Sequence, residues 1–202
     1  MMLIVLGIGP GDSGLITVRG ADILRTADAV FVPGPLAKKI VSPYAEAVVL
    51  DFPMTDDEER IDEAMERNCE VLANAAINGT AVLGVLGDTN FYSTYARLWK
   101  VMSSRYPQIE RRVEPGVSSI TAFASRLGIS VRSGMLVTDG SEQDSLLLLK
   151  VKRPRERMEE LRVQGYREFG LVERMYMNDE RTYTEADMPE VCDYMSVMFA
   201  RK

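Results

Sequence analysis

The sequence predicts an α/β protein of two domains. Residues 1–115 form a mostly parallel sheet with helices on both faces, and residues 116–202 a smaller, somewhat reduced α/β domain on a mixed sheet. Three observations predict this. Apolar runs that end in glycine alternate with amphipathic stretches through the first part of the chain. After about Gly128 the texture changes, and strand-like runs surround a single clear helix. No low-complexity linker or internal repeat intervenes, so the domains are expected to abut and leave a cleft between them.

Leu3–Gly9 is a continuous apolar run, suited to a strand buried on both faces. A helix follows at Thr17–Thr26 with Thr17 as N-cap. Ala29–Val32 is a short strand, and Pro35 stands where a first-turn proline opens a helix. Val48–Asp51 is a third strand. Thr55 and Glu58 have capping-box spacing ahead of a helix whose buried face carries Ile61, Met65, Asn68 and Leu72, with Asn68 the polar interruption. Asn78-Gly79 stops it. Ala81–Gly87 and Ile109–Glu114 are further strands, and Ser93–Arg105 and Ser118–Leu127 further helices. In the second domain Met135–Asp139, Ser145–Val151, Phe169–Met177 and Tyr194–Ala200 read as strands, and Pro154–Gln164 as a helix.

Composition excludes several classes of function. The chain has no histidine, which removes histidine-base catalysis and histidine-ligated metal. Its two cysteines, Cys69 and Cys192, have no metal or disulfide spacing, so no protein-held transition metal is expected, and no motif points to carboxylate-bound magnesium. Net charge is −6, and residues 51–80, with nine acids and two bases, account for the deficit. Nucleic acid is therefore not an expected partner. No run is long enough to span a membrane, and the opening residues lack a basic leader, so the expected location is the cytoplasm.

Three strand-to-helix turns carry candidate chemistry. Gly7-Ile8-Gly9-Pro10-Gly11-Asp12 approaches a dinucleotide fingerprint but puts Asp12 where its third glycine belongs, and Pro10 removes an N–H that a phosphate would need. A nicotinamide or flavin oxidoreductase is disfavoured. Leu86-Gly87-Asp88-Thr89-Asn90-Phe91-Tyr92 sets a carboxylate and two flat apolar rings at a sheet edge. Asp88 is as well explained as a turn or capping residue as by a ligand. Glu114-Pro115-Gly116-Val117-Ser118-Ser119 precedes an apolar helix, where either serine is a cap or a ligand group.

Taken in order, these segments resemble one family. LGIGPGDSGLITVRGADILRTADAVFVPG, LGDTNFYSTYARLW and EPGVSSITAFASRLGI resemble the tetrapyrrole methylases, two-domain methyltransferases of cobalamin and siroheme synthesis. The Phe-Tyr-Ser-Thr run, with LLLLKV, VERMYMNDER and YMSVMFARK, resembles the subgroup acting at C-20 of precorrin-2 or cobalt-factor II. Thr89 stands where the family usually has proline, and Gly134–Ser145 is shorter than usual. The resemblance implies S-adenosylmethionine as cofactor, contacted by Pro10, Leu86, Gly87, Asp88, Phe91, Ser118 and Ser119, with Leu149 and Met175 from the second domain. It implies direct methyl displacement by a ring carbon, with Asp88 or Tyr92 assisting the later proton loss. The implied substrate is an anionic tetrapyrrole, with or without cobalt, so Arg19, Lys38, Lys39 and Arg97 are candidate cations. A homodimer is implied as well. Another methylase of the same fold, diphthine synthase included, and a cofactor-binding module without turnover are the alternatives.

Overall fold

The computed structural model describes residues 1–202. Contacts divide the chain into two compact units, Met1–Met135 and Leu136–Lys202. The division falls later than the expected 115/116 because the helix after Pro115-Gly116 stays with the first unit.

The first unit contains β1 (Met2–Gly7), α1 (Val18–Thr26), β2 (Ala29–Val32), α2 (Pro35–Val41), β3 (Val48–Val49), α3 (Glu58–Asn78), β4 (Thr80–Val85), α4 (Tyr95–Arg105), β5 (Glu110–Glu114) and α5 (Ser119–Leu127). The strands form one sheet in the order β3-β2-β4-β1-β5, and every pairing is parallel. A parallel sheet needs crossovers, and these put helices on both faces. Leu3 and Val5 of β1 pack with Met65 and Leu72 of α3 and Leu98 and Met102 of α4. Ile4 and Leu6 pack with Ile23 and Leu24 of α1 and Ala37 and Ile40 of α2. One strand thus feeds two apolar layers, which is why β1 reads as an unbroken apolar run.

Local signals settle most element ends. Thr17 caps α1, its hydroxyl accepting from the Gly20 amide at 3.0 Å. Ser118 caps α5 through the Ile120 amide at 3.2 Å. The expected Thr55/Glu58 box does not form. Asp57 is the N-cap of α3, its carboxylate accepting from the Arg60 amide at 3.2 Å, while Thr55 turns back to the Asp57 amide. An aspartate nearer the helix outcompetes the threonine. Asn68, only 5% exposed, is satisfied by donating to the Asp51 carbonyl at 2.7 Å.

The second unit contains β6 (Ser145–Leu149), α6 (Pro154–Val163), β7 (Glu168–Glu173), β8 (Arg181–Thr184) and β9 (Ser196–Arg201), in the order β6-β9-β7-β8. Every pair is antiparallel, so the sheet is not mixed as expected. β6 and β7 run the same way, but β9 inserts between them and pairs with both. Met158, Leu161, Phe169, Leu171 and Met198 fill its core. Met135–Asp139 forms no strand: its apolar residues Met135, Leu136 and Val137 are exposed, so the run lacks the burial that a strand of its pattern needs. β8 was not expected, because Arg181-Thr182-Tyr183-Thr184 is a short polar edge strand whose signal resembles a turn.

Candidate active site

The C-terminal ends of β1, β4 and β5 converge in the first unit, and glycine makes the convergence feasible. A Cβ on Gly7 would stand 2.6 Å from the Gly116 Cα and 2.8 Å from the Gly87 carbonyl oxygen. A Cβ on Gly116 would stand 2.7 Å from the Gly7 Cα. Only hydrogen fits between these backbones. The loops are then sewn together. Gly9 donates to the Gly87 carbonyl at 3.3 Å and Gly87 donates back to Gly9 at 2.8 Å. Asp88 accepts from the Asn90 amide at 2.9 Å with one carboxylate oxygen and from the Gly116 amide at 3.1 Å with the other. Its carboxylate therefore fixes two loops by charge-assisted hydrogen bonds to backbone.

Over this floor lies a pocket of about 260 Å³, lined by Pro10, Leu36, Leu86, Gly87, Asp88, Phe91, Tyr92, Ser118, Ser119 and Ile120. The first-unit residues carried over for the cofactor, together with Tyr92, meet here although they lie on three separate loops. Leu36, in the first turn of α2, and Ile120, in the first turn of α5, were missed. Each is an apolar residue just behind a helix start, a weak signal beside the stronger proline and serine. Tyr92 has a left-handed backbone, φ 53°, which is strained for a non-glycine residue. Thr89 is buried, and its hydroxyl has no hydrogen-bond partner.

Asp12 does not line the pocket but caps the 3₁₀ turn Ser13–Leu15, accepting from the Gly14 amide at 2.8 Å. Lys38 and Lys39 are exposed in the last turn of α2. Arg19, in the first turn of α1, pairs with Glu114 at 3.5 Å. Arg97 is matched by two acids of α3, Glu58 at 2.7 Å and Asp62 at 2.6 Å. Those bonds hold its guanidinium above its ordinary pKa and tie α4 to α3, so its charge is already committed. Leu149, the last residue of β6, and Met175, two residues beyond β7, are exposed in the second unit.

Apolar walls, two serine hydroxyls and main-chain groups, with no lysine or arginine lining, suit a ligand with a flat apolar ring and polar hydroxyl and amino groups rather than a phosphate. A pocket at the carboxyl ends of a parallel sheet is where open α/β folds bind their ligands, and its lining fits a small organic molecule. The chain belongs to the tetrapyrrole (corrin/porphyrin) methylases, whose sequence profile matches residues 2–189. That family's methyl donor is S-adenosylmethionine, which has the flat ring, hydroxyls and amino group the pocket suits.

The chain is 26% identical to the "Probable cobalt-precorrin-2 C(20)-methyltransferase" of Methanocaldococcus jannaschii, over 98% of this chain and 94% of that protein. It is 30% identical to the cobalt-precorrin-2 C(20)-methyltransferase of Salmonella typhimurium, over 89% of this chain and 84% of that protein. It is 34% identical to the diphthine synthase of Pyrobaculum neutrophilum, over 64% of this chain and 49% of that protein. Among solved structures the fold is shared with the methyltransferase CobJ, at 16% identity and TM-score 0.51, over all of this chain and 94% of that one. It is shared with uroporphyrin-III-C-methyltransferase from Thermus thermophilus, at 18% identity and TM-score 0.50, over all of this chain and 92% of that one.

Proposed function

We propose that this chain methylates C-20 of cobalt-factor II or precorrin-2 in cobalamin synthesis. The observation that carries the reading is the extent of likeness. The relatives named for C-20 methylation align over 98% and 89% of the chain, whereas the diphthine synthase aligns over 64%. A diphthine synthase-like activity on a protein residue is the second reading, supported by the higher identity within that shorter span.

S-adenosylmethionine supplies an electrophilic methyl group on a cationic sulfur. In this reading Leu36, Leu86, Phe91 and Ile120 hold its flat ring and exclude water, Ser118 and Ser119 offer hydroxyls, and Gly87 offers main-chain groups. Displacement by an electron-rich carbon needs no covalent protein intermediate, so positioning and water exclusion are the chain's contribution. Both carboxylate oxygens of Asp88 are engaged by amides, which makes it the clasp of the pocket rather than a base. Tyr92, which lines the pocket, relays the proton lost from the methylated carbon, its Oη accepting that proton as its own passes to water. Tyr92→Phe should lower kcat by roughly 10²-fold while cofactor affinity holds. Arg19, Lys38 and Lys39 meet the substrate's carboxylates, and Arg97 leaves that set for the reason given above. We read the working unit as a cytoplasmic homodimer. α5, which buries none of its residues and exposes Phe123 and Leu127, supplies part of the contact.

Purified protein is incubated anaerobically with S-adenosylmethionine and precorrin-2, with and without cobalt, and the product is read by mass and by the NMR position of the new methyl. One added methyl at C-20 is expected. Methylation at another carbon, or of a protein substrate alone, would overturn the assignment. Light scattering on the same sample tests the dimer.

A further inference from the structure

A strand at the edge of a sheet exposes amides and carbonyls, and soluble proteins blunt such edges with charge, brevity or cover. The two sheets end in four edge strands, β3, β5, β6 and β8. Three of them are blunted. β3 has only two residues, Val48–Val49. β5 reads Glu-Arg-Arg-Val-Glu and is charged at four of its five positions. β8 is four residues long, polar, and opens on Arg181. β6 has no such protection: it reads Ser-Leu-Leu-Leu-Leu, without charge or proline.

The ladder with β9 fixes which groups of β6 face outward. The Lys150 amide donates to the Ser196 carbonyl at 2.8 Å, and the Lys202 amide donates to the Asp144 carbonyl at 2.9 Å. Even-numbered residues therefore bond to β9, and antiparallel alternation turns the main-chain groups of Ser145, Leu147 and Leu149 to the free edge. The side chains of Leu147 and Leu149 are themselves 49% and 69% exposed. The two flanks of the strand carry opposite charge. Glu142 and Asp144 precede it, and Lys150, Lys152 and Arg153 follow it. Lys150, φ 61°, ends the strand, and the residues beyond it border a recess of about 380 Å³ lined by Leu149, Val151, Lys152, Arg153 and Arg157 among others.

This pattern is self-complementary. Two copies of β6 laid antiparallel about Leu147 set Leu149 of each opposite Ser145 of the other, and bring each acidic flank to the other's cationic flank. Laid parallel, the same strands would set like charges together.

We propose that the free edge of β6 is a docking surface for a second copy of this chain, the two strands pairing antiparallel about Leu147 into one continuous sheet. The proposal rests on the homodimer reading above and gives it a surface in the second unit. Since β8 is blunted, the pairing closes at two copies and does not run on into a fibre.

Sedimentation of the full chain over a range of concentrations reads the dimer, and amide hydrogen exchange reads the edge. The wild type should form a dimer, and exchange at Leu147 and Leu149 should slow about tenfold or more as concentration passes the dissociation constant. Leu147→Lys sets two like charges across the two-fold axis and should raise that constant about tenfold or more. Lys152→Glu and Glu142→Lys should each raise it about fivefold or more. An equimolar mixture of those two variants should return to within about threefold of the wild type, because each brings the flank the other lacks. A dimer that all three variants leave intact, or exchange at Leu147 and Leu149 indifferent to concentration, would overturn the edge and leave the homodimer reading standing. A wild type that stays monomeric would sink both. No recovery in the mixture would overturn the two-fold pairing, and that arm stands even if Leu147→Lys fails to fold.

Discussion

The amide of Gly116 donates to the carboxylate of Asp88 at 3.1 Å, joining the loop after β5 to the loop after β4. The aspartate's other oxygen takes the Asn90 amide, so one side chain sets the shape of both loops. Asp88→Ala should cost roughly 2–3 kcal/mol of stability, in the range of hydrogen bonds to a charged group. It should also reduce S-adenosylmethionine affinity more than tenfold, because two walls of the pocket lose their common anchor. Asp88→Asn keeps one acceptor and should fall between the two. Thermal unfolding and calorimetry on the same samples check this, and an Asp88→Ala protein with wild-type melting and affinity would refute it.

Gly116→Ala should be more damaging than Asp88→Ala. Its methyl would enter space already filled by the Gly7 backbone, 2.7 Å from that Cα. Neither strand can retreat without breaking the parallel ladder between β1 and β5. Overpacking of this kind costs about 3 kcal/mol or more. Urea unfolding should show an early midpoint with an unchanged slope.

Thr89→Val should stabilise the protein by about 1 kcal/mol. The threonine hydroxyl is buried without a partner, and an apolar group of the same shape removes that penalty. A lower melting temperature in the valine variant would mean that the hydroxyl is in fact satisfied.

Cys69 is fully buried between α3 and α4, and its thiol donates to the Leu98 carbonyl at 3.4 Å. Burial pushes its pKa up to about 11 from an ordinary value of 9.0. The folded state therefore keeps the proton longer than the unfolded chain does. Its contribution to stability is complete below pH 9 and is lost as pH rises through 11. Cys69→Ala should flatten the fall in stability between those values. Iodoacetamide at pH 8 should label Cys69 only on unfolding, and rapid labelling of the native protein would contradict this.

Much of the first unit was legible because its strands are buried on both faces and announce themselves as unbroken apolar runs. Thr17 and Ser118 were legible as caps because they act within three residues. Thr55 misled because Asp57 lay closer to the helix start. β8 was hidden by its polar edge sequence, and Met135–Asp139 looked like a strand although its apolar residues stay exposed. The loops of the pocket were readable as loops. That Asp88 would grip an amide at Gly116 was not, since hydrogen bonds between distant loops leave no periodicity. Leu36 and Ile120 were obscured by a similar effect: one apolar residue in a first helical turn looks alike whether it faces solvent or a ligand.

The crossing of Gly7, Gly87 and Gly116 has a practical corollary for redesign. The approach of Gly7 to Gly116 leaves no space for an added atom, so the loop crossing beside the pocket cannot be rebuilt to admit a bulkier methyl-donor analogue. Room for such an analogue must come from the side chains that line the pocket, by trimming Leu36, Phe91 or Ile120.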